Sequence, residues 1–165
     1  MYKCILVPTD GSPVSGLAAD AAIELARAAG AEIVALSIVV PEPVVSIEDT
    51  MVLDPGQQLD VLQEHAHSIV GKLAERVRRG GVACRPLTRI DHDPARAIVE
   101  AAREYHCDLI AMGSHGRRGL SRLLAGSVTQ NVLAYAPVPV MVFRPALPQE
   151  QVQALARKCP GGAPG

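Results

Sequence analysis

The stretch Gly113-Ser114-His115-Gly116-Arg117-Arg118-Gly119-Leu120-Ser121-Arg122-Leu123-Leu124-Ala125-Gly126-Ser127 carries the clearest chemistry in the chain. A phosphate chain can rest on backbone N–H groups only where side chains do not block its approach. Gly113, Gly116 and Gly126 leave the backbone bare and free to take φ > 0. Gly126-Ser127 opens a helical pattern, so unpaired N–H groups and the positive end of a helix dipole would face an anion there. Arg117, Arg118 and Arg122 add positive charge at the mouth. By composition alone the stretch is equally an ordinary glycine turn; its position after a strand and before a helix favours the phosphate reading.

A second cluster, Pro8-Thr9-Asp10-Gly11-Ser12, ends the first strand-like run. Asp10 there is placed to accept from a ribose hydroxyl, and a plain turn or helix-entry role stays open beside that one. Two other phosphate motifs are missing. The only Gly-Lys pair, Gly71-Lys72, is followed by Leu73 inside a helical pattern, so there is no Walker A loop, and no Gly-x-Gly-x-x-Gly occurs. Parts for turnover are also scarce: no acid stands between Asp108 and Glu150, and the adjacent Ser114-His115 pair has no evident orienting acid.

The elements that must position these clusters follow from periodicity. Tyr2 to Thr9, Glu32 to Val40, Val82 to Ile90, Asp108 to Met112 and Pro139 to Phe143 read as strands. Helices alternate with them. Ser12-Pro13 caps the first, with Val14, Leu17, Ala18, Ala21, Ala22 and Leu25 expected inward and a stop at Gly30. Leu59, Leu62, Ala66, Ile69, Leu73 and Val77 mark the second, and Asp93-Pro94 opens the third with Ile98, Ala101, Ala102 and Tyr105 on one face. Ser127 to Tyr135 is the last, with Val128, Val132 and Leu133 expected inward. Five strands alternating with four helices predict an α/β fold, a doubly wound five-stranded parallel sheet with helices on both faces. Its ligands should lie outside the carboxyl ends of the strands.

Composition bounds the rest. A chain of 165 residues suits one domain, expected over residues 1–145, followed by a Pro- and Gly-rich tail over 146–165 that reads as largely disordered. The formal net charge of −1 gives no general attraction to nucleic acid or to anionic lipid. Apolar runs fall well short of the roughly 20 residues of a membrane span, and no signal-peptide pattern precedes the first strand, so the expected compartment is the cytoplasm. Residues 41–56 form a long irregular connection. Cys4, Cys84, Cys107 and Cys159 lie far apart in sequence with no C-x-x-C pair, and read as reduced, mostly buried thiols. His65 and His67, two apart, face different directions on a helix and read as part of a solvated face.

The spacing Gly113-x2-Gly116-x9-Gly126-Ser127 resembles the motif of the ATP-binding branch of the universal stress protein family. The resemblance runs from about Tyr2 to Phe143. It includes Ile5-Leu6-Val7-Pro8-Thr9-Asp10-Gly11-Ser12, Asp93-Pro94-Ala95 and Ala136-Pro137-Val138-Pro139-Val140. It implies an adenine nucleotide alpha hydrolase-like sheet with strand order 3-2-1-4-5. It also implies ATP (or ADP or AMP) as cofactor, with magnesium through the phosphates an option, and a homodimer formed through the last strand. Carried over by position, adenine would lie near Pro8 and Ile38, ribose near Asp10 and Gly113, and phosphates on Gly116, Gly126, Ser127 and Val128. Thr9, Met112 and Arg117 complete the implied contacts. The function implied is nucleotide binding in a stress response, regulatory or protective, without efficient turnover. A nucleotide hydrolase or adenylate-transferring enzyme, and a nucleotide-free interaction module, are the alternatives. One departure stands out: family members commonly carry Gly-Asp-Pro where this chain has His92-Asp93-Pro94, so a left-handed or crowded backbone there would have to accept an imidazole.

Overall fold

The computed structural model describes residues 1–41, 55–114 and 126–145. Nine elements follow in strict alternation: β1 (Cys4–Pro8), α1 (Pro13–Ala29), β2 (Glu32–Val39), α2 (Pro55–Arg79), β3 (Cys84–Ile90), α3 (Pro94–Glu104), β4 (Leu109–Gly113), α4 (Ser127–Tyr135) and β5 (Val140–Phe143). The strands form one sheet in the order β3-β2-β1-β4-β5, and every neighbouring pair is parallel. The expected fold and strand order are therefore observed. Most of the irregular connection after Pro41, together with Gly116, Arg117, Arg118, Arg122 and the tail from residue 146, lies outside the described residues. Among those described, no helix is long and apolar enough to cross a membrane.

Central strands are buried on both faces because helices cover both. Ile5, Val7, Ile33, Ala35, Leu109 and Ala111 point to one side, where α1 and α2 supply Ala22, Ile23, Leu73 and Val77. Leu6, Val34, Leu36, Ile110 and Met112 point to the other, against Ile98 and Ala102 of α3 and Val132 of α4. β3 stands at one edge, where Pro86, which cannot donate a ladder bond, is tolerated. β5 stands at the other.

Two helix faces differ from expectation. On α1 the buried set is Ala18, Ala19, Ala22, Ile23 and Ala26, while Leu17 is 46% exposed. Alanines let the helix approach the sheet closely, and the bulkier Leu17 is left at its flank. On α4, Thr129 and Val132 face inward and Leu133 faces out at 51% exposure. The Thr129 hydroxyl donates to the carbonyls of Gly113 and Ser114, both at 3.2 Å, and so fixes the rotation of that helix.

Candidate functional site

β1 and β4 are neighbours whose connections run to opposite sides of the sheet, which opens a crevice at their carboxyl ends. The crevice is a cleft of about 580 Å³. Pro8, Leu36, Ile38, Val39 and Met112 give it apolar walls, and Thr9, Asp10, Gly113, Gly126 and Ser127 bring polar atoms and bare backbone. Val128 lines it too. Every described residue implicated from the sequence thus reaches one cavity, although Pro8, Ile38 and Val128 come from three different elements.

The turn after β1 is built to hold its shape. Thr9 N–H donates to the Leu36 carbonyl at 2.8 Å, continuing the β1–β2 ladder past the last strand residue. Asp10 Oδ1 accepts from Ser12 N–H at 3.0 Å, and Gly11 adopts φ 77°, a left-handed conformation that suits a residue without Cβ. Ser12 then caps α1, its hydroxyl accepting from Ser15 N–H at 3.2 Å ahead of Pro13 in the first turn. Asp10 therefore does serve as a turn residue, and it lines the cleft as well.

Across the cleft, β4 ends at Gly113, and Ser114 N–H donates to the Phe143 carbonyl at 2.8 Å. The chain returns at Gly126, whose N–H donates to the Ser114 carbonyl at 2.8 Å. Gly126 is the N-cap of α4 and, with no side chain, makes no cap bond to the first-turn amides.

The glycines do not share one conformational purpose, contrary to expectation. Gly126 has φ −61° and ψ 157°, an extended backbone open to any residue, and Gly113 is not among the glycines with positive φ. Space is what Gly113 needs. A Cβ there would meet Val14 Cγ1 at 3.0 Å, the Val14 carbonyl carbon at 3.1 Å and Ser15 N at 3.2 Å, because α1 begins directly against the end of β4.

His92 also lines the cleft, and its backbone is not left-handed. The expected strain is absent because Asp91 builds the turn: its Oδ1 accepts from Asp93 N–H at 2.9 Å and from Arg96 Nη2 at 2.7 Å. The Arg96 guanidinium, then the Asp93 amide, hold the Asp91 carboxyl below the usual carboxylate range. Asp93 caps α3 through the N–H groups of Ala95 and Arg96.

Sequence reasoning missed the contribution of α2. Leu62, His65, Ala66 and Ile69 share one helical stripe and all border the cleft, so His65, exposed as expected, also lines it. The signal was in the periodicity, since His65 interrupts an apolar i, i+3, i+4, i+7 stripe. His67 turns away, as its two-residue offset requires, with its ring nitrogens near the Gln63 carbonyl and the Thr88 hydroxyl. Among the described residues no group of three or more His, Cys, Asp or Glu is placed to hold a metal ion.

Comparison with known proteins agrees with this architecture. The family model described as "Universal stress protein family" matches residues 1–144. Universal stress protein MJ0531 of Methanocaldococcus jannaschii is 35% identical over 146 residues, covering 87% of this chain and 83% of its own. The solved structure of MJ0577, reported as a structure-based assignment of biochemical function, superposes with a TM-score of 0.77 at 27% identity, over 90% of this chain and 99% of that one. A universal stress protein from Archaeoglobus fulgidus, solved in complex with dAMP, shares the fold with a TM-score of 0.66 at 21% identity, over 87% of this chain and 98% of its own. The chain belongs to the universal stress protein family.

Proposed function

We propose that this chain binds an adenine nucleotide, ATP in the first place, in the cleft at the carboxyl ends of β1 and β4, and acts as a regulatory or protective protein with little turnover. The observation that carries this reading is convergence: Asp10, Gly113 and the start of α4 meet around one cavity whose walls are apolar. Pro8, Ile38 and Met112 suit a flat base, Asp10 suits a ribose hydroxyl, and the amides of Ser127 and Val128 with the helix dipole suit phosphate. That the same fold in the Archaeoglobus fulgidus protein takes dAMP makes such a ligand one the architecture admits. The resemblance of the spacing Gly113-x2-Gly116-x9-Gly126-Ser127 to the motif of the family's ATP-binding branch is what favours the triphosphate. Low turnover is favoured by the acid-free stretch between Asp108 and Glu150 and by the complete burial of Ser114. Calorimetric titration with ATP paired with a phosphate-release assay tests both halves. One-to-one binding with product well below one equivalent per hour is expected; many turnovers by pure protein would overturn the second half.

We further propose a two-fold homodimer through β5. This strand is a sheet edge, and the carbonyls of Pro139 and Phe143 accept from Ile110 and Ser114 on its inner side. By the alternation of a parallel ladder, the N–H and C=O groups of Val140 and Val142 point to the open edge, with Met141, Leu133 and Tyr135 exposed nearby in sequence and on the adjoining helix. Light scattering should give twice the chain mass. Val140→Pro with Val142→Pro should give a folded monomer, because each removes an outward N–H and spares the bonds to β4; an unaffected dimer would refute the proposed interface.

A further inference from the structure

At the amino end of the sheet, opposite the cleft, Cys4 at the start of β1 and Cys107 just before β4 bring their sulfurs to 3.2 Å across 103 positions of sequence. Both are free thiols and nearly buried, at 6% and 4% exposure. We propose that Cys4 and Cys107 form an oxidisable dithiol that a hydroperoxide converts into an internal disulfide.

The backbone fixes the two residues one step apart along the paired strands, since the register Ile5–Leu109 sets Cys4 across from Asp108. The Asp108 carboxylate accepts from Lys3 N–H at 2.8 Å and from Cys4 N–H at 3.2 Å, and Asp108 N–H donates to the Cys4 carbonyl at 2.9 Å. Cys107 N–H donates to the Ala102 carbonyl at 2.9 Å, closing the end of α3 through a left-handed His106 at φ 51°. Cys107 thus lies diagonally from Cys4, and a strand spacing of about 4.8 Å with a rise of about 3.3 Å per residue gives a Cα separation of about 6 Å, inside the range of about 4.4–6.8 Å that a disulfide spans. Closing the sulfurs to about 2.05 Å then asks mainly for side-chain rotation.

The two sulfurs are not equivalent. Either sulfur can donate the hydrogen bond between them; with Cys107 donating, that bond lowers the Cys4 thiol against the opposing effects of burial, Glu32 and Asp108. The same bond, then burial, pushes the Cys107 thiol up. In that arrangement Cys4 is the attacking sulfur. Its thiolate attacks one peroxide oxygen, the O–O bond breaks, and the departing hydroxide takes up the Cys4 proton as water, leaving Cys4 as a sulfenic acid. The Cys107 sulfur then attacks the Cys4 sulfur, the S–O bond breaks, and hydroxide leaves with the Cys107 proton as a second water. Two thiols have lost two electrons to one peroxide.

The test uses the full chain carrying Cys84→Ser and Cys159→Ser, so that only the proposed pair can react, with peptide mapping of the unaltered chain as a control for the substitutions. Each protein is treated with hydrogen peroxide, denatured with an alkylating reagent and weighed intact. The expected result is joint loss of both alkylatable thiols within single chains, a Cys4 peptide linked to a Cys107 peptide, and recovery of both thiols with dithiothreitol. The melting temperature of the oxidised form should rise by on the order of 10 °C, since the cross-link closes a long loop in the unfolded chain. Two thiols still alkylated after peroxide, oxygen added to one sulfur without a link, or a link between chains would each overturn the proposal.

Discussion

The two ends of the parallel sheet are built on opposite plans. At the carboxyl end, β1 and β4 run out into a cleft, and the N-cap of α4 is a glycine with no side chain to cap it. At the amino end the connections are tight. Gly30 caps α1 in a left-handed turn with its N–H on the Ala26 carbonyl, His106 closes α3 in another, and Asp108 ties β4 to the amides of Lys3 and Cys4. One end opens a cleft beside the start of α4, which on the proposed reading receives the ligand, whereas the other ties its strands and helix ends together and contributes stability. Variants at the first end should therefore alter binding, and variants at the second should alter folding.

The sharpest break of that division lies within the glycine motif, because Gly113 and Gly126 border the same cleft for different reasons. Gly126→Val meets no backbone barrier at φ −61°, and a poorer N-cap costs at most about 1 kcal/mol of apo stability. If phosphate occupies the start of α4, that side chain should weaken ATP binding by on the order of 100-fold or more, about 2.7 kcal/mol. Gly113→Ala should instead lower apo stability by about 1–3 kcal/mol, since its Cβ presses on the backbone of Val14 and Ser15. Thermal melts without nucleotide, paired with calorimetric titration, separate the two. Wild-type ATP affinity in a folded Gly126→Val protein would move the phosphate site elsewhere.

How legible each end was follows from the same physics. Capping pairs such as Ser12-Pro13 and Asp93-Pro94 are local, as are the largely apolar runs of β1, β2 and β4, and so the elements could be read from the chain, whereas the sheet order came from the family resemblance. Asp10 and Ser127 could be read from their places at a turn and a helix start, whereas Ile38 and Met112 came from the family resemblance. Contacts set by the rotation of an alanine-rich helix were not readable, because Ala18, Ala19, Ala21 and Ala22 carry almost no periodic signal. Nor was the approach of α1 to Gly113, or the meeting of Cys4 with Cys107, since both depend on the strand β1 lying beside β4 at a particular register. Asp91 was missed for another reason: a side-chain acceptor replaces the glycine usually sought in such a turn.

A second break falls at the amino end. Asp108→Ala removes the acceptor of two backbone N–H groups, one of them partly buried, and should cost about 1.5–3 kcal/mol of stability. Nucleotide affinity should stay within about twofold of wild type, a change of under half a kcal/mol. Urea melts and the same titration measure the pair of effects. A large loss of affinity without loss of stability would show that the two ends are coupled through β4, and the division of labour would fail.

The smallest effect concerns another turn at the carboxyl end that satisfies itself, the Asp91 turn before α3. Arg96 and the Asp93 amide lower the Asp91 carboxyl in the folded protein, so the folded state holds its proton less tightly than the unfolded chain does. The sign follows: the stabilisation is present above the ordinary carboxylate range and fades as the pH falls through the depressed folded value. Asp91→Asn keeps an acceptor for Asp93 N–H and removes only the charge. At neutral pH the variant should be slightly less stable than wild type, by less than either change above, because Arg96 is largely exposed and solvent screens the pair. Molar salt should shrink that difference, and so should acid, where both side chains are neutral. A gap between the two melting curves that persists at pH 2 would mean that Asp91 acts through the shape of the turn and not through its charge.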